Sequence, residues 1–221
     1  MSPLKLKEKD IKDAIRKALN SPQRNFLESV DMVVVFKGLD LKRDLSARIS
    51  DVLELPVPRK SKKPKVCVIG TGGVLVRARE ANADTVLSKE ELEKMKDDKR
   101  ALKKMAQHHD FFIVSTDVMP IVGRILGPIL GPRGKTPIPV RFPQDDVATV
   151  VEKMRRSIRL RMRDQPVLQV SIGTKDMSIE DLYKNFQAVV EYLAKKYHNL
   201  NQIIKDIYLK TTMGPSVKVG A

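Results

Sequence analysis

The chain has 221 residues, room for one large domain or two modest ones, and its 42% hydrophobic and 31% charged content is that of a soluble globular protein. Lys and Arg number 42 against 27 Asp and Glu, a formal net charge of +15 that favours a polyanionic partner. A single cysteine, Cys67, excludes an internal disulfide and fits a reducing cytosol, and aromatic residues at 5% with no Trp argue against a base-stacking reader of single strands.

The N-terminal segment Met1–Lys12 alternates charged and apolar residues and lacks the apolar run of a signal peptide; no later stretch could span a bilayer. Ile11, Ala14, Ile15, Ala18 and Leu19 share one helical face, and Asn20-Ser21-Pro22 ends that helix. Val30–Phe36 is a β-branched run expected to be a central strand, with Asp44–Leu55 as its partner after a turn at Lys37–Asp40. Pro56-Val57-Pro58-Arg59-Lys60-Ser61-Lys62-Lys63-Pro64 then reads as an extended, solvated hinge, because proline fixes φ and like charges repel.

Beyond the hinge the pattern becomes strand, helix, strand, helix. Val66–Ile69, Asp84–Val86 and Asp110–Thr116 read as strands, with Cys67 as a small buried side chain. Val74–Ala81 reads as a helix, Ser88 and Glu91 have capping-box spacing, and the following helix has a break at Asp97-Asp98. An apolar helix is expected around Met119–Leu126, and another over Asp145–Arg155. This alternation predicts a small parallel, Rossmann-like sheet.

In the last third, Arg159, Arg161 and Arg163 alternate with Ile158, Leu160 and Met162, so a strand would present the three arginines on one face. Asp164-Gln165-Pro166 turns, and Val167–Ile172 is expected to return as the hairpin partner. Ser178 opens a long amphipathic helix that ends in Lys195 and Lys196, followed by a final strand. The fold class is therefore α/β: an α+β domain split between residues 1–60 and 156–221, with a Rossmann-like α/β domain, 61–155, inserted. Two crossings, near Pro58 and Ser157, make a two-strand hinge. The charge excess is spread over the three segments (+4, +6 and +5 for 1–60, 61–155 and 156–221), so it does not locate a site.

Reaction and cofactor motifs fail on inspection. Gly70-Thr71-Gly72-Gly73-Val74-Leu75 follows a strand and precedes a helix, but Leu75 stands where a dinucleotide loop needs its third glycine. Gly134-Lys135-Thr136 has Ile129 where a phosphate loop needs glycine, and Pro137 and Pro139 oppose the helix that would hold phosphate. His108, His109 and His198 pair neither with Cys67 nor at i, i+4 spacing, so no metal site is expected. No nucleophile elbow or HExxH occurs, so no catalytic residue or cofactor is expected.

The stretch Lys210-Thr211-Thr212-Met213-Gly214-Pro215-Ser216-Val217 ends a strand in two hydroxyls, a flexible apolar side chain and a bare backbone. Such a surface suits RNA, since hydroxyls reach 2′-OH groups, Met lies on sugar faces and Gly admits close approach. With Asn25-Phe26-Leu27-Glu28-Ser29-Val30 and Gly127-Pro128-Ile129-Leu130-Gly131-Pro132-Arg133-Gly134-Lys135, it resembles the signatures of the ribosomal protein L-one family, in their archaeal-like variants. That family forms the mobile side stalk of the large ribosomal subunit. The resemblance implies a split RNA-binding domain with an inserted Rossmann-like one, a cytoplasmic ribosomal location and a monomer when free. It implies large-subunit rRNA, exit-site tRNA and the chain's own mRNA as partners, with roles in releasing deacylated tRNA and repressing its own translation. Carried over residue by residue, it makes Phe26 and Met213 pack on riboses, and Ser29, Thr211 and Thr212 bond to backbone and 2′-OH groups. Gly214 allows close approach, Arg161 and Arg163 hold phosphates, and Glu28 and Lys210 complete the set. The family's basic residue directly after the glycine matching Gly173 is displaced here, where Thr174 precedes Lys175. The alternative readings are a nucleotide-binding enzyme that uses the Rossmann-like insert and a nonspecific nucleic-acid packaging protein.

Overall fold

The computed structural model describes residues 6–59, 61–197 and 199–220; His198 lies outside them. In chain order the elements are α1 (Glu8–Leu19), β1 (Ser29–Phe36), β2 (Ile49–Glu54), β3 (Val66–Gly70), α2 (Gly73–Glu80), β4 (Thr85–Ser88), α3 (Lys89–Lys94), α4 (Lys99–His108) and β5 (Phe111–Ser115). There follow α5 (Met119–Arg133), β6 (Ile138–Val140), α6 (Val147–Arg155), β7 (Ser157–Met162), β8 (Val167–Thr174), α7 (Ile179–Lys196), α8 (Leu200–Ile203), β9 (Ile204–Thr211) and β10 (Val217–Lys218). The chain divides into two compact units: the residues up to Lys62 together with those from Ser157 onward, and Lys63–Arg156.

In the first unit an antiparallel sheet runs β10-β9-β1-β8. Val30, Met32, Val34 and Phe36 of β1 face Ile11, Ile15 and Ala18 of α1 and Leu182, Phe186, Val189 and Leu193 of α7 in one buried core. Strand alternation therefore turns Asp31 and Val33 to the opposite face. A register shift between Val30 and Asp31 leaves Ile172 without a ladder partner on β1. Its carbonyl accepts from the buried Asn185 amide (2.8 Å), which also exchanges two hydrogen bonds with the backbone of Val57 (3.0 and 2.9 Å). A buried amide stays favourable only when its donors and acceptor are met, as they are here.

Two pairings differ from the sequence reading. Only Ile49–Glu54 of the Asp44–Leu55 stretch is extended, because the Asp44 carboxylate accepts from the Ser46 and Ala47 N–H groups and closes a turn first. Nor does it join β1; β2 pairs with β7 in a separate two-stranded sheet, Ile49 opposite Met162 and Glu54 opposite Ser157. For the same reason β7 and β8 make no hairpin ladder: β8 pairs with β1, from Ser29–Thr174 to Val35–Val167.

The second unit is a parallel sheet ordered β4-β3-β5-β6. Both β3 and β5 are buried along their whole length, as parallel strands covered on two sides are. Cys67, Ile69, Phe112 and Val114 pack with Leu92, Leu102, Val122 and Leu126 from α3, α4 and α5. Burial pushes the Cys67 thiol up to about 12, so it stays a neutral core side chain. Ser88 and Glu91 form the reciprocal capping box, and Asp98 caps α4 at the expected break.

The Gly127–Lys135 stretch, beyond the helix expected around Met119–Leu126, is helical to Arg133. Val122, Leu126 and Leu130 recur every four residues and are buried, which holds the helix together through Pro128 and Pro132. Both prolines are exposed, so the carbonyls they leave without an intrahelical donor lie on the solvent side. The helix stops at Gly134, whose φ of 68° is the left-handed conformation of a C-cap. Lys135 then donates to the carbonyls of Ala106 (2.9 Å) and His109 (2.5 Å), a tie to the end of α4. Gly73 has an equally structural reason: a Cβ there would lie 2.7 Å from Cζ of Phe142, whose ring rests on the bare backbone at the start of α2. Among the described residues no group of His, Cys, Asp and Glu could hold a metal, and no helix is long and apolar enough to cross a membrane.

Candidate nucleic-acid interface

At one end of the four-stranded sheet three segments converge: the α1–β1 loop, the end of β8 and the end of β9. Register brings this about, since Ser29 lies opposite Thr174 on one side and Val30 opposite Thr211 on the other. The Thr212 N–H donates to the Ser29 carbonyl (3.1 Å), and the Ser29 N–H donates to the Thr212 hydroxyl (3.1 Å). Lys62 donates to Ser29 Oγ at 3.1 Å.

Glu28 is the buried brace of this junction, 2% exposed. Its Oε1 accepts the Met213 N–H at 2.9 Å, and its Oε2 lies 3.4 Å from the Lys175 ammonium. The Met213 N–H, above all, with the Lys175 charge and the Thr211 hydroxyl, holds the Glu28 carboxyl below its ordinary pKa, against the opposing pull of burial. Lys175 also donates to Ser21 O (2.7 Å), Ser21 Oγ (3.0 Å) and Pro22 O (3.2 Å), so one ammonium staples the α1–β1 loop to the end of β8. The two residues act as one clamp on the loop Thr212–Gly214.

Two large apolar side chains stand out of this polar frame: Met213 is 61% exposed and Phe26 53%. Beside them a depression of about 630 Å³ is lined by Arg24, Asn25, Phe26, Glu28 and Lys175, among others. Gly214 closes the loop by donating to the Thr211 carbonyl at 3.2 Å. A Cβ on it would lie 2.2 Å from Thr211 Oγ1 and 3.1 Å from Ser21 Cβ, so this position admits no side chain.

The sequence-predicted residues thus separate by position. Phe26, Glu28, Ser29, Lys210, Thr211, Thr212, Met213 and Gly214 come together. Of these, Phe26, Thr212 and Met213 are exposed and Lys210 and Gly214 partly so, whereas Glu28, Ser29 and Thr211 are buried, Thr211 with its hydroxyl 3.0 Å from Ser21 Oγ. Arg161 and Arg163 are elsewhere. Arg161 sits opposite Ser50 in the β2–β7 sheet, and the turn after Arg163 meets β1 at its other end, where the Phe36 N–H donates to the Pro166 carbonyl (2.8 Å). The length of β8, about 23 Å at the usual rise per residue, lies between that turn and Thr174. Ser21 and Lys62 escaped the sequence reading of the site, and Lys175 entered it only as the displaced basic residue after Gly173. A lysine beside a threonine-aspartate turn carries no periodic signal, and its partners Ser21 and Glu28 are remote in the chain.

The chain is thus a split α/β protein with an inserted parallel-sheet unit, its antiparallel unit carrying an edge with projecting apolar side chains. The chain belongs to the ribosomal protein L1p/L10e family, whose model matches residues 6–215. This is a family of ribosomal proteins, not of enzymes. Similar proteins include the large ribosomal subunit protein uL1 of Korarchaeum cryptofilum, 45% identical over 96% of this chain and 94% of the relative. Those of Thermofilum pendens (43%, over 95% and 92%) and Methanopyrus kandleri (44%, over 96% and 98%) carry the same name.

Proposed function

We propose that this chain is a cytoplasmic component of the large ribosomal subunit that binds rRNA through the edge built from Phe26, Glu28, Ser29 and Lys210–Gly214. The observation that carries this reading is the pairing of two exposed apolar side chains with a buried carboxylate that fixes the backbone between them. Met213 and Phe26 present flat apolar surface to riboses, and Thr212 presents a hydroxyl to a 2′-OH or phosphate. Glu28, Ser29 and Thr211 are satisfied inside the protein and keep the loop in shape before RNA arrives, which lowers the ordering cost of binding. Arg161 and Arg163, far from this edge, would hold phosphates of another part of the same RNA. In the assembled subunit the chain would form the mobile side stalk and assist release of deacylated tRNA from the exit site. Its own mRNA, folded like the rRNA target, would be bound at the same edge and its translation repressed.

Filter binding to purified large-subunit rRNA tests the reading. Log K should fall with log salt by about 0.7–0.9 per phosphate contacted. Met213→Asp should weaken binding far more than removal of any one surface lysine, because it sets a charge against a ribose-phosphate surface at short range. Equal losses for all variants, or equal affinity for duplex DNA, would mean diffuse attraction of a packaging type and would overturn the proposal.

A further inference from the structure

The outward face of the sheet, opposite the helices, continues from the edge. Lys210 and Tyr208 follow one another on it at alternate positions of β9, with Thr212 just past the strand's end, Asp31 of β1 directly opposite Lys210 and Ser171 of β8 on the other side of Asp31. Lys210 reaches the Thr212 carbonyl (3.3 Å) and Lys62 reaches Ser29 Oγ (3.1 Å). Since Ser29 and Thr212 are themselves bonded across the strands, the two ammonium groups flank one cross-strand pair. Burial raises the pKa of the half-buried Asp31 carboxyl, against the Ser171 hydroxyl and the positive charges of Lys210, Lys62 and Arg59, so three cations act on this one carboxyl, with Lys210 directly opposite it on β9. Two of the three, Arg59 and Lys62, come from the connecting segment after β2, which the sequence presents as a solvated, self-repelling linker.

We propose that Arg59, Lys62 and Lys210 form a phosphate-binding row on this face, so that the RNA seated on the Thr212–Met213 edge also grips the connecting segment that leads out of the first unit. The inference rests on the RNA-binding reading of the edge and extends it from Lys210 to Arg59 and Lys62, which lie outside the three family signatures. Charge complementarity selects a polyanion, and continuity through Ser29 and Thr212 selects the RNA already bound at the edge. Arg59 supplies a planar fork for two phosphate oxygens, whereas the two lysines act as point charges. Asp31 gathers the cations in the free protein and yields them to phosphate.

The test is a salt series of filter-binding titrations on the full chain with purified large-subunit rRNA, comparing wild type with Lys62→Gln, Arg59→Gln, Lys62→Arg and, as control, the exposed Lys195→Gln. Lys62→Gln and Arg59→Gln should each weaken binding several-fold and reduce the slope of log K against log salt by about one. Lys62→Arg should keep the slope, and Lys195→Gln should leave slope and affinity unchanged. Unaltered slopes for Lys62→Gln and Arg59→Gln, with Met213→Asp still abolishing binding, would overturn the phosphate row and leave the edge standing. Loss of slope in Lys195→Gln equal to that in Lys62→Gln would overturn it as well. Failure of the wild-type chain to retain rRNA at all would instead remove the reading beneath it.

Discussion

Glu28 shows how one buried charge can set the shape of a binding edge. Its carboxylate takes the Met213 N–H and faces the Lys175 ammonium, so its folded pKa lies below the ordinary glutamate value. The stabilisation this contributes is complete above the unfolded pKa, about 4.3 for a model glutamate, and is lost as pH falls through the lower folded value. The amide resonance of Met213, followed by NMR through an acid titration, should therefore report a midpoint below that of a free glutamate; a midpoint at or above it would deny the clamp. Glu28→Gln keeps an acceptor for Met213 but turns the amide's donors on Lys175, and rRNA affinity should drop by about tenfold. Gly214→Ala should cost affinity too, since its Cβ would lie 2.2 Å from Thr211 Oγ1 and force the Thr212–Gly214 loop outward. Wild-type affinity in that variant would show that the edge tolerates displacement. Met213 was legible in the sequence as an apolar residue beside a Gly-Pro break and Thr212 as one of two hydroxyls there, whereas Phe26 came only with the family resemblance. The clamp itself was not legible. Burial of Glu28 depends on the register between β1, β8 and β9, and no local spacing encodes a contact across 185 positions.

At the level of elements, periodicity foretold the helices and strands well and their pairings badly. Strand β1, the long helix α7, the Ser88 capping box and the Asp97-Asp98 break are all local patterns, and each is present. The partners of β2, β7 and β8 are non-local choices. Alternation says which face of a strand is apolar but not which strand lies beside it. Helix α5 is the instructive case: two Gly-Pro pairs argue for turns, yet a buried stripe of Val122, Leu126 and Leu130 outweighs them. Stability measurements can check the helix. Apart from its chain neighbours and the helix's own backbone, a Cβ at Gly123 would have no heavy atom within 4 Å, so Gly123→Ala should stabilise the protein by about 0.5–1 kcal/mol, the propensity difference inside a helix. Urea unfolding that showed destabilisation in that variant would contradict a helix at this position.

On the scale of the molecule, each unit has a hydrophobic core of its own, one drawn from α1, α7 and the antiparallel sheet, the other from the parallel sheet and its helices. Joining Lys62 to Ser157 through a short flexible linker should give a protein that folds and still retains large-subunit rRNA by filter binding, because every residue of the edge lies outside 63–156. Loss of all binding in a folded protein of this kind would place the RNA contacts elsewhere. The change of pattern after Pro64 is a short-range feature of the sequence, whereas the bond from Lys62 to Ser29 Oγ was hidden by the apparent solvation of a charged, proline-rich segment.

The interleaving of the two units has a temporal side. During synthesis Lys63–Arg156 is complete in the growing polypeptide well before β9 is made, so the parallel-sheet unit can fold while the antiparallel one still lacks its central neighbour. The Thr211–Gly214 loop is made later than both Glu28 and Lys175, and until it emerges Glu28 has no Met213 N–H to accept. A folding chain therefore completes the edge that we propose for RNA only after β9 has been made.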